Sequence, residues 1–149
     1  MSTFIFPMNP EWYDAERAFK NLPDRQVDWG TERPSVSVGD KVLIYFSEPT
    51  KEMRILSEVV KILDSEDTII DDSSYIREGC PENIRNPRGS RRVIRLELKK
   101  IIKHGTGLDY NSFWTVCGYR GHFQRDFCVN NSENELFRKY LKEKLGDIS

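Results

Sequence analysis

Four apolar stretches of the chain predict the strands of a sheet. Residues 4–6 form a short run that Pro7 is expected to end, and residues 42–46 form a run that is apolar on both faces. Residues 53–63 are rich in isoleucine and valine, and residues 93–99 alternate apolar with charged side chains. The run at 42–46 therefore predicts a central strand. Residues 36–38 and 68–70 indicate two shorter extended segments.

Helical spacing of apolar residues predicts a first helix near the amino terminus. Asn9 followed by Pro10 is typical of a helix start, and Pro23 is expected to end the helix. The predicted apolar face consists of Trp12, Ala15, Phe19 and Leu22. This spacing assigns Trp12 to the core.

Two further helices are predicted in the last third of the chain. Residues 108–117 form a short helix that Gly118 closes. Residues 132–135 read as a capping box, and Gly146 is expected to end the helix that follows. Its apolar face consists of Phe137, Leu141 and Leu145. Residues 71–92 lack periodicity and contain glycine and proline, so they predict a long loop.

The order of these elements predicts an α+β fold. There are too few helical crossovers for a parallel, doubly wound sheet. We expect a small curved sheet or a partly closed barrel with helices at its ends. The length of 149 residues fits a single domain spanning residues 1–149.

Composition points to a water-soluble protein. Hydrophobic residues make up 38% and charged residues 32% of the chain, and no apolar stretch approaches the roughly 20 residues of a membrane span. The amino terminus lacks the basic and apolar regions of a signal peptide, so we expect a cytoplasmic location without membrane contact. An odd number of widely spaced cysteines, Cys80, Cys117 and Cys128, predicts neither a disulfide framework nor a zinc ribbon.

Charge is distributed unevenly, although the formal net charge is only −1. Residues 48–72 carry eight acidic and three basic side chains, whereas residues 77–103 carry nine basic and three acidic ones. A dipolar chain of this kind can present a basic face to phosphate groups. On charge alone, separate solvated faces are the simpler interpretation, and the sequence leaves both open.

Motifs of common catalytic sites are missing from the sequence. Phosphate-binding glycine loops and serine nucleophile elbows are absent. Cys117 or Cys128 with His122 lacks an obvious orienting group, and the adjacent Asp71 and Asp72 would point apart in a strand. The histidines lack metal-binding spacing. We therefore expect a binding module with no catalytic residue, cofactor or metal.

Aromatic residues near predicted strand ends and in loops indicate what such a module binds. These residues are Trp29, Tyr45, Trp114, Tyr119 and Phe123. Trp29 lies in a polar connector, which makes it a poor candidate for the core and a good candidate for stacking on a nucleobase, worth about 1–3 kcal/mol. A flipped base also needs polar groups for its edge and cations for its phosphates. Candidates for the base edge are Asn9, Asp28, Ser47 and Gln124. Candidates for phosphate binding are Arg33, Arg88, Arg91, Arg92, Arg120 and Arg125.

Seven short motifs occur in a distinctive order that covers nearly the whole chain. They are Phe4-Ile5-Phe6-Pro7, Asn9-Pro10, Val27-Asp28-Trp29, Val38-Gly39-Asp40, Val42-Leu43-Ile44-Tyr45-Phe46-Ser47, Glu58-Val59-Val60 and Tyr119-Arg120-Gly121-His122-Phe123-Gln124. Their order and spacing resemble the EVE domain of the PUA-like superfamily, to which YTH and ASCH domains are related. The resemblance implies an α+β pseudo-barrel of about five or six mostly antiparallel strands with peripheral helices.

The same resemblance implies a cleft that holds a modified base in an aromatic cage. Members similar to this chain read methylated or hydroxymethylated bases in DNA, some as specificity modules of modification-dependent restriction systems, and others bind modified RNA. By carry-over, one wall is Trp29, the floor is Tyr45 and Ser47, and the opposite lip is Gly121, Phe123 and Gln124. A methyl group adds only about 1 kcal/mol of burial, so selectivity would depend on the shape of the cage.

Three functions remain open at the level of sequence. The first is a non-catalytic reader that flips a modified base out of DNA, prefers DNA over RNA, and works with a fused or associated nuclease in defence against phage. The second is a module that binds modified or single-stranded RNA. The third is a small-ligand-binding protein or enzyme that uses the same cleft. We expect the chain to be a monomer.

Overall fold

A computed structural model describes residues 1–81, 86–121 and 123–148. The strands are β1 (Thr3–Met8), β2 (Gln26–Thr31), β3 (Lys41–Phe46), β4 (Glu52–Leu63), β5 (Arg92–Ile101) and β6 (Phe127–Cys128). The helices are α1 (Ala15–Asn21), α2 (Tyr110–Cys117) and α3 (Glu135–Ile148). Short 3-10 turns lie at Pro23–Arg25, Ser73–Tyr75, Pro87–Gly89 and Val129–Asn131. No helix within these described ranges is long and apolar enough to cross a membrane.

All six strands belong to one sheet with the order β2-β5-β4-β3-β1-β6. The pair β1–β3 is parallel, and the other neighbouring pairs are antiparallel. The predicted α+β class with a mostly antiparallel sheet is therefore confirmed. The run at 42–46 occupies β3, between β4 and β1, as its two apolar faces predicted.

Both faces of this sheet are buried. Phe4, Val42 and Ile44 point to one side, where α1 packs, while Ile5 and Leu43 point to the other side with α2 and α3. Successive residues of a strand face opposite sides, so one strand contributes to two cores. This arrangement explains why β1 and β3 are apolar at every position after their first residues, Thr3 and Lys41.

Hydrogen bonds link the end of edge strand β2 to the residue before the other edge strand, β6. The hydroxyl of Thr31, the last residue of β2, donates to Asp126 Oδ2 over 2.6 Å. Arg33 Nε donates to the carbonyl oxygen of Asp126 over 2.8 Å. Asp126 immediately precedes β6, so these contacts join opposite edges of the sheet through side chains.

The predicted start of the first helix is wrong. The side chain of Asn9 accepts a hydrogen bond from the Glu11 N–H and forms a turn, whereas Asp14 caps α1 by accepting from the Arg17 N–H. Trp12 therefore precedes the helix, and its predicted place in the core is also wrong: it is half-buried.

Pro7 does not end the first strand, because β1 continues to Met8. Strand β6 pairs only with Phe4 and Ile5, which leaves β1 an edge strand at Pro7. Proline is tolerated at an edge because its missing N–H faces no partner strand.

The connector assigned to residues 27–33 contains strand β2, which pairs with β5. Residues 36–38 and 68–70, expected to be extended segments, belong to none of the six strands. Helix α3 is capped by Asn134, whose side chain accepts from the Phe137 N–H, rather than by Ser132, and it runs past Gly146. The predicted helix at 108–117 is confirmed as α2, with Gly118 in the left-handed conformation at its end.

Candidate functional site

A cleft of about 800 Å³ opens where β1 and β3 end. The two strands are parallel, so Asn9 and Ser47, which follow them, lie at the same edge of the sheet. The cleft is completed by Trp29 and Gly30 of β2, the segment near Ser90 and the segment before β6. Its volume is within the range of about 300–1,000 Å³ that is typical of small-ligand sites.

Tyr45 and Phe123 form an aromatic wall of the cleft. Their ring centroids are 4.8 Å apart and the rings are tilted by 55°. Phe123 is supported from behind by Phe113 and by Tyr119, with centroids at 5.9 and 5.4 Å. Phe123 also has a φ of 47°, a left-handed conformation that costs free energy for a bulky residue and that surrounding packing must hold in place.

The hydroxyl group of Tyr45 has no hydrogen-bond partner among the described residues. Tyr45 is only 3% exposed, and no described residue forms a hydrogen bond with its hydroxyl group. Burial, reinforced by Tyr110, Asp109 and Glu48, raises the pKa of Tyr45 to about 12. The phenol is therefore neutral at physiological pH and available as a hydrogen-bond donor or acceptor.

Acidic side chains line the cleft more than basic ones. Glu11, Glu48 and Asp126 contribute carboxyl groups, while Lys51 is a cation of the lining and pairs with Glu48 at 3.1 Å. Burial raises the pKa of Asp126, although the hydrogen bond from Thr31 acts in the opposite direction. Carboxylates accept hydrogen bonds, so the cleft favours a ligand that presents N–H groups over one that presents phosphate.

Six of the eight predicted base-binding residues line this cleft: Asn9, Trp29, Tyr45, Ser47, Phe123 and Gln124. Asp28 does not, because side chains alternate along β2 and its carboxylate accepts hydrogen bonds from Arg95 Nε at 2.8 Å and the Ile70 N–H at 2.7 Å. Gly121 does not line the cleft either. A side chain there would meet the Tyr119 ring at 2.4 Å, so Gly121 serves close packing.

The prediction that Trp29 is a poor candidate for the core is wrong. Trp29 is 7% exposed, packs edge-on against Tyr13 at 5.9 Å and is stacked with Phe19 at 6.5 Å. Only the small exposed part of the Trp29 side chain faces the cleft. Trp12, which was assigned to the core, is the more exposed tryptophan of the lining.

None of the six predicted phosphate-binding arginines lines the cleft. Arg88 donates to the carbonyl oxygens of Asp64 and Asp67, and Arg92 donates to that of Val36 over 2.8 Å. Arg33 is held by Asp126, as described above. The basic segment thus mainly binds other parts of the chain, including the acidic segment.

The remaining three predicted phosphate-binding residues are exposed. Arg91 follows Ser90, and Arg125 lies between Gln124 and Asp126, so both are adjacent in sequence to residues of the cleft. Arg120 lies over the ring of Trp114. Arg85 of the basic segment and His122, considered as a catalytic base, lie outside the described residues.

Sequence reasoning missed several residues of the cleft. They are Glu11, Trp12, Glu48, Lys51, Tyr110 and Asp126. Glu48 and Lys51 follow the end of β3, and loops at strand ends commonly carry ligand contacts. Their position after the predicted strand could therefore have indicated them. In the described part of the chain, no cluster of three His, Cys, Asp or Glu residues has the arrangement of a metal site.

Comparison with solved structures identifies the fold. A Pseudomonas putida protein superimposes with a TM-score of 0.57 at 12% identity, covering 96% of this chain and 98% of that chain. The ASCH protein from Zymomonas mobilis gives 0.52 at 12% identity, with 97% and 94% covered. The chain has the PUA-like fold. The resemblance to EVE and ASCH domains of the PUA-like superfamily is therefore confirmed at the level of the fold.

A third solved structure with a similar fold is a complex with DNA. The N-terminal domain of McrB from Thermococcus gammatolerans, bound to m5C DNA, gives a TM-score of 0.50 at 15% identity, with 97% of this chain and 99% of that chain covered. No family model and no curated protein matches the chain. At such low identities the PUA-like likeness establishes architecture, and function depends on the cleft itself.

Proposed function

We propose that this PUA-like domain is a non-catalytic module that holds one modified base, flipped out of DNA, in the cleft. The observation that carries the proposal is the buried, unpartnered hydroxyl group of Tyr45 beside the ring of Phe123. A base stacking on this wall would supply the missing hydrogen-bond partner. An unsatisfied buried hydroxyl group costs free energy until a ligand fills that role.

The acidic lining supports a base rather than a phosphate as the group inside. Glu11, Glu48 and Asp126 can accept hydrogen bonds from the amino group of a cytosine or adenine. Trp12 offers a half-exposed ring for stacking at the same cleft. Phosphates would stay outside, near the exposed side chains of Arg91 and Arg125, where water reduces the repulsion from the carboxylates.

The McrB structure supports DNA carrying a methylated cytosine as the first ligand to test. A shared fold at 15% identity does not distinguish DNA from RNA, so the preference for DNA is part of what we propose. Competition between matched DNA and RNA oligonucleotides that carry 5-methylcytosine tests it. Tighter binding of the RNA would assign the cleft to RNA recognition instead.

The substitution Tyr45→Phe tests the proposal with two readouts of opposite sign. Removing a buried, unpartnered hydroxyl group should leave the free energy of unfolding unchanged or raise it slightly. Binding to DNA carrying 5-methylcytosine should weaken by about 1 kcal/mol, or about fivefold. Fluorescence anisotropy and urea denaturation measure the two quantities. Unchanged affinity of Tyr45→Phe, for a wild-type protein that does bind, would remove Tyr45 from the site.

A further inference from the structure

A second aromatic surface lies beside the cleft on helix α2. Trp114 is 40% exposed and follows Tyr110, a residue of the cleft, by one helical turn. Residues four apart lie on the same side of a helix, about 6 Å apart along its axis. Helix α2 therefore carries one aromatic ring into the cleft and a second ring just outside it.

Each of these two rings has a cation next to it. The guanidinium carbon of Arg120 is 4.0 Å from the centroid of the Trp114 ring, and Lys51 Nζ is 5.7 Å from that of Tyr110. Helix α2 itself contains no charged residue. A flat ring beside a cation is the combination that binds a nucleotide, because the base stacks and the phosphate pairs with the charge.

The cleft and this outer surface are bounded by the same two pieces of chain. Helix α2 contributes Tyr110 to the cleft and Trp114 to the outer surface. The segment that follows Gly118 contributes Arg120 to the outer surface and Phe123 to the cleft. A nucleic-acid strand that leaves the cleft along α2 would therefore meet Trp114 and Arg120.

We propose that Trp114 and Arg120 form a subsite for the nucleotide that flanks the base in the cleft. The flanking base stacks on the exposed part of the Trp114 ring, and its phosphate pairs with Arg120. This subsite rests on the proposed function of the cleft.

Two probes separate the subsite from the cleft: a short single-stranded DNA with one 5-methylcytosine, and the free nucleoside 5-methyldeoxycytidine. Trp114→Ala should lower the affinity for the oligonucleotide roughly 10-fold and leave the affinity for the nucleoside unchanged, since only the oligonucleotide has a flanking base. Alanine favours the helix, so the fold should persist. Val116→Ala is the matched control, because Val116 is exposed on another side of α2.

Arg120→Gln gives an independent readout. It should reduce the slope of log affinity against log salt concentration by about one, the value for one lost phosphate contact. Trp114→Ala should leave this slope unchanged. Equal affinity of wild type and Trp114→Ala for the oligonucleotide would overturn the subsite and leave the cleft standing. An equal loss for oligonucleotide and nucleoside would also overturn it, since Trp114 would then act through the cleft. Failure of the wild type to bind either probe would overturn both proposals.

Discussion

The two tryptophans of the cleft should differ in what replacement by alanine changes. Trp29→Ala should mainly lower stability, and Trp12→Ala should mainly weaken DNA binding. Trp29 is 7% exposed and packs against Tyr13 and Phe19. Its truncation leaves a cavity in the core, and replacements of this kind cost about 3–5 kcal/mol. Trp12 is half-buried in a turn, so its truncation should cost about 1 kcal/mol or less.

The predicted loss for Trp29→Ala is large compared with the whole stability of a domain, about 5–15 kcal/mol. For a chain of about 150 residues, each kcal/mol lowers the melting temperature by about 2–4 °C. Trp29→Ala should therefore melt about 6–20 °C below the wild type. Trp12→Ala should melt within a few degrees of it and bind DNA carrying 5-methylcytosine about 1–3 kcal/mol more weakly.

Thermal melts, urea denaturation and anisotropy titrations on both variants measure these changes. Loss of binding by Trp29→Ala carries no information about stacking unless the variant is shown to be folded. The reasoning is refuted if Trp29→Ala costs less than about 1 kcal/mol of stability. It is also refuted if Trp12→Ala leaves both stability and affinity unchanged.

Three further predictions concern the surroundings of the cleft. Arg95→Ala leaves the buried carboxylate of Asp28 without its cation and should cost about 3–5 kcal/mol in urea denaturation, less when Asp28→Asn is added. Equal costs for the single and the double variant would contradict the pairing. Gly30→Ala places a methyl group 2.2 Å from Ser90 Oγ and should destabilise by about 1–3 kcal/mol, partly relieved by Ser90→Gly; the double variant melting no higher than Gly30→Ala would argue against this clash. Since burial raises the pKa of Tyr45 from 10.0 to about 12 in the folded state, the unfolded chain loses this proton more readily, so the free energy of unfolding is unaffected below pH 10 and falls between pH 10 and 12. Melting temperatures should fall more steeply over that range for the wild type than for Tyr45→Phe, and parallel curves would be inconsistent with a buried phenol.

The strands with strong hydrophobic patterns could be predicted from the sequence. Residues 42–46 form a continuous apolar run and residues 93–99 alternate apolar with charged side chains, and both lie in the sheet as expected. Strand β2 was missed because Asp28 and Gly30 interrupt its pattern. Asp28 is compatible with a buried strand because Arg95, 67 positions away, pairs with it and the Ile70 N–H donates to it.

The positions of the two tryptophans show why the site was only partly predictable. Trp12 has helical spacing with Ala15 and Phe19, but Asp14 starts the helix after it. Trp29 has polar neighbours in sequence but apolar neighbours in space. Burial of a single aromatic residue depends on long-range packing, which local patterns do not contain.

The basic segment illustrates the same limit for electrostatics. Its excess of arginine was compatible with phosphate binding, yet Arg88 and Arg92 donate to carbonyl oxygens of neighbouring loops. A guanidinium group satisfies such oxygens as readily as phosphate oxygens. The number of charged residues can be read from the sequence, but which of them are paired within the fold cannot.

The affinity of the wild-type protein for one duplex with and without 5-methylcytosine tests the central claim most directly. The account predicts that the methylated duplex binds at least about fivefold tighter at a single stated salt concentration, since burying the methyl group is worth about 1 kcal/mol. A duplex carrying 5-hydroxymethylcytosine, measured alongside, shows which modification the cleft prefers. Equal affinity for modified and unmodified duplexes would contradict the claim that the cleft holds a modified base.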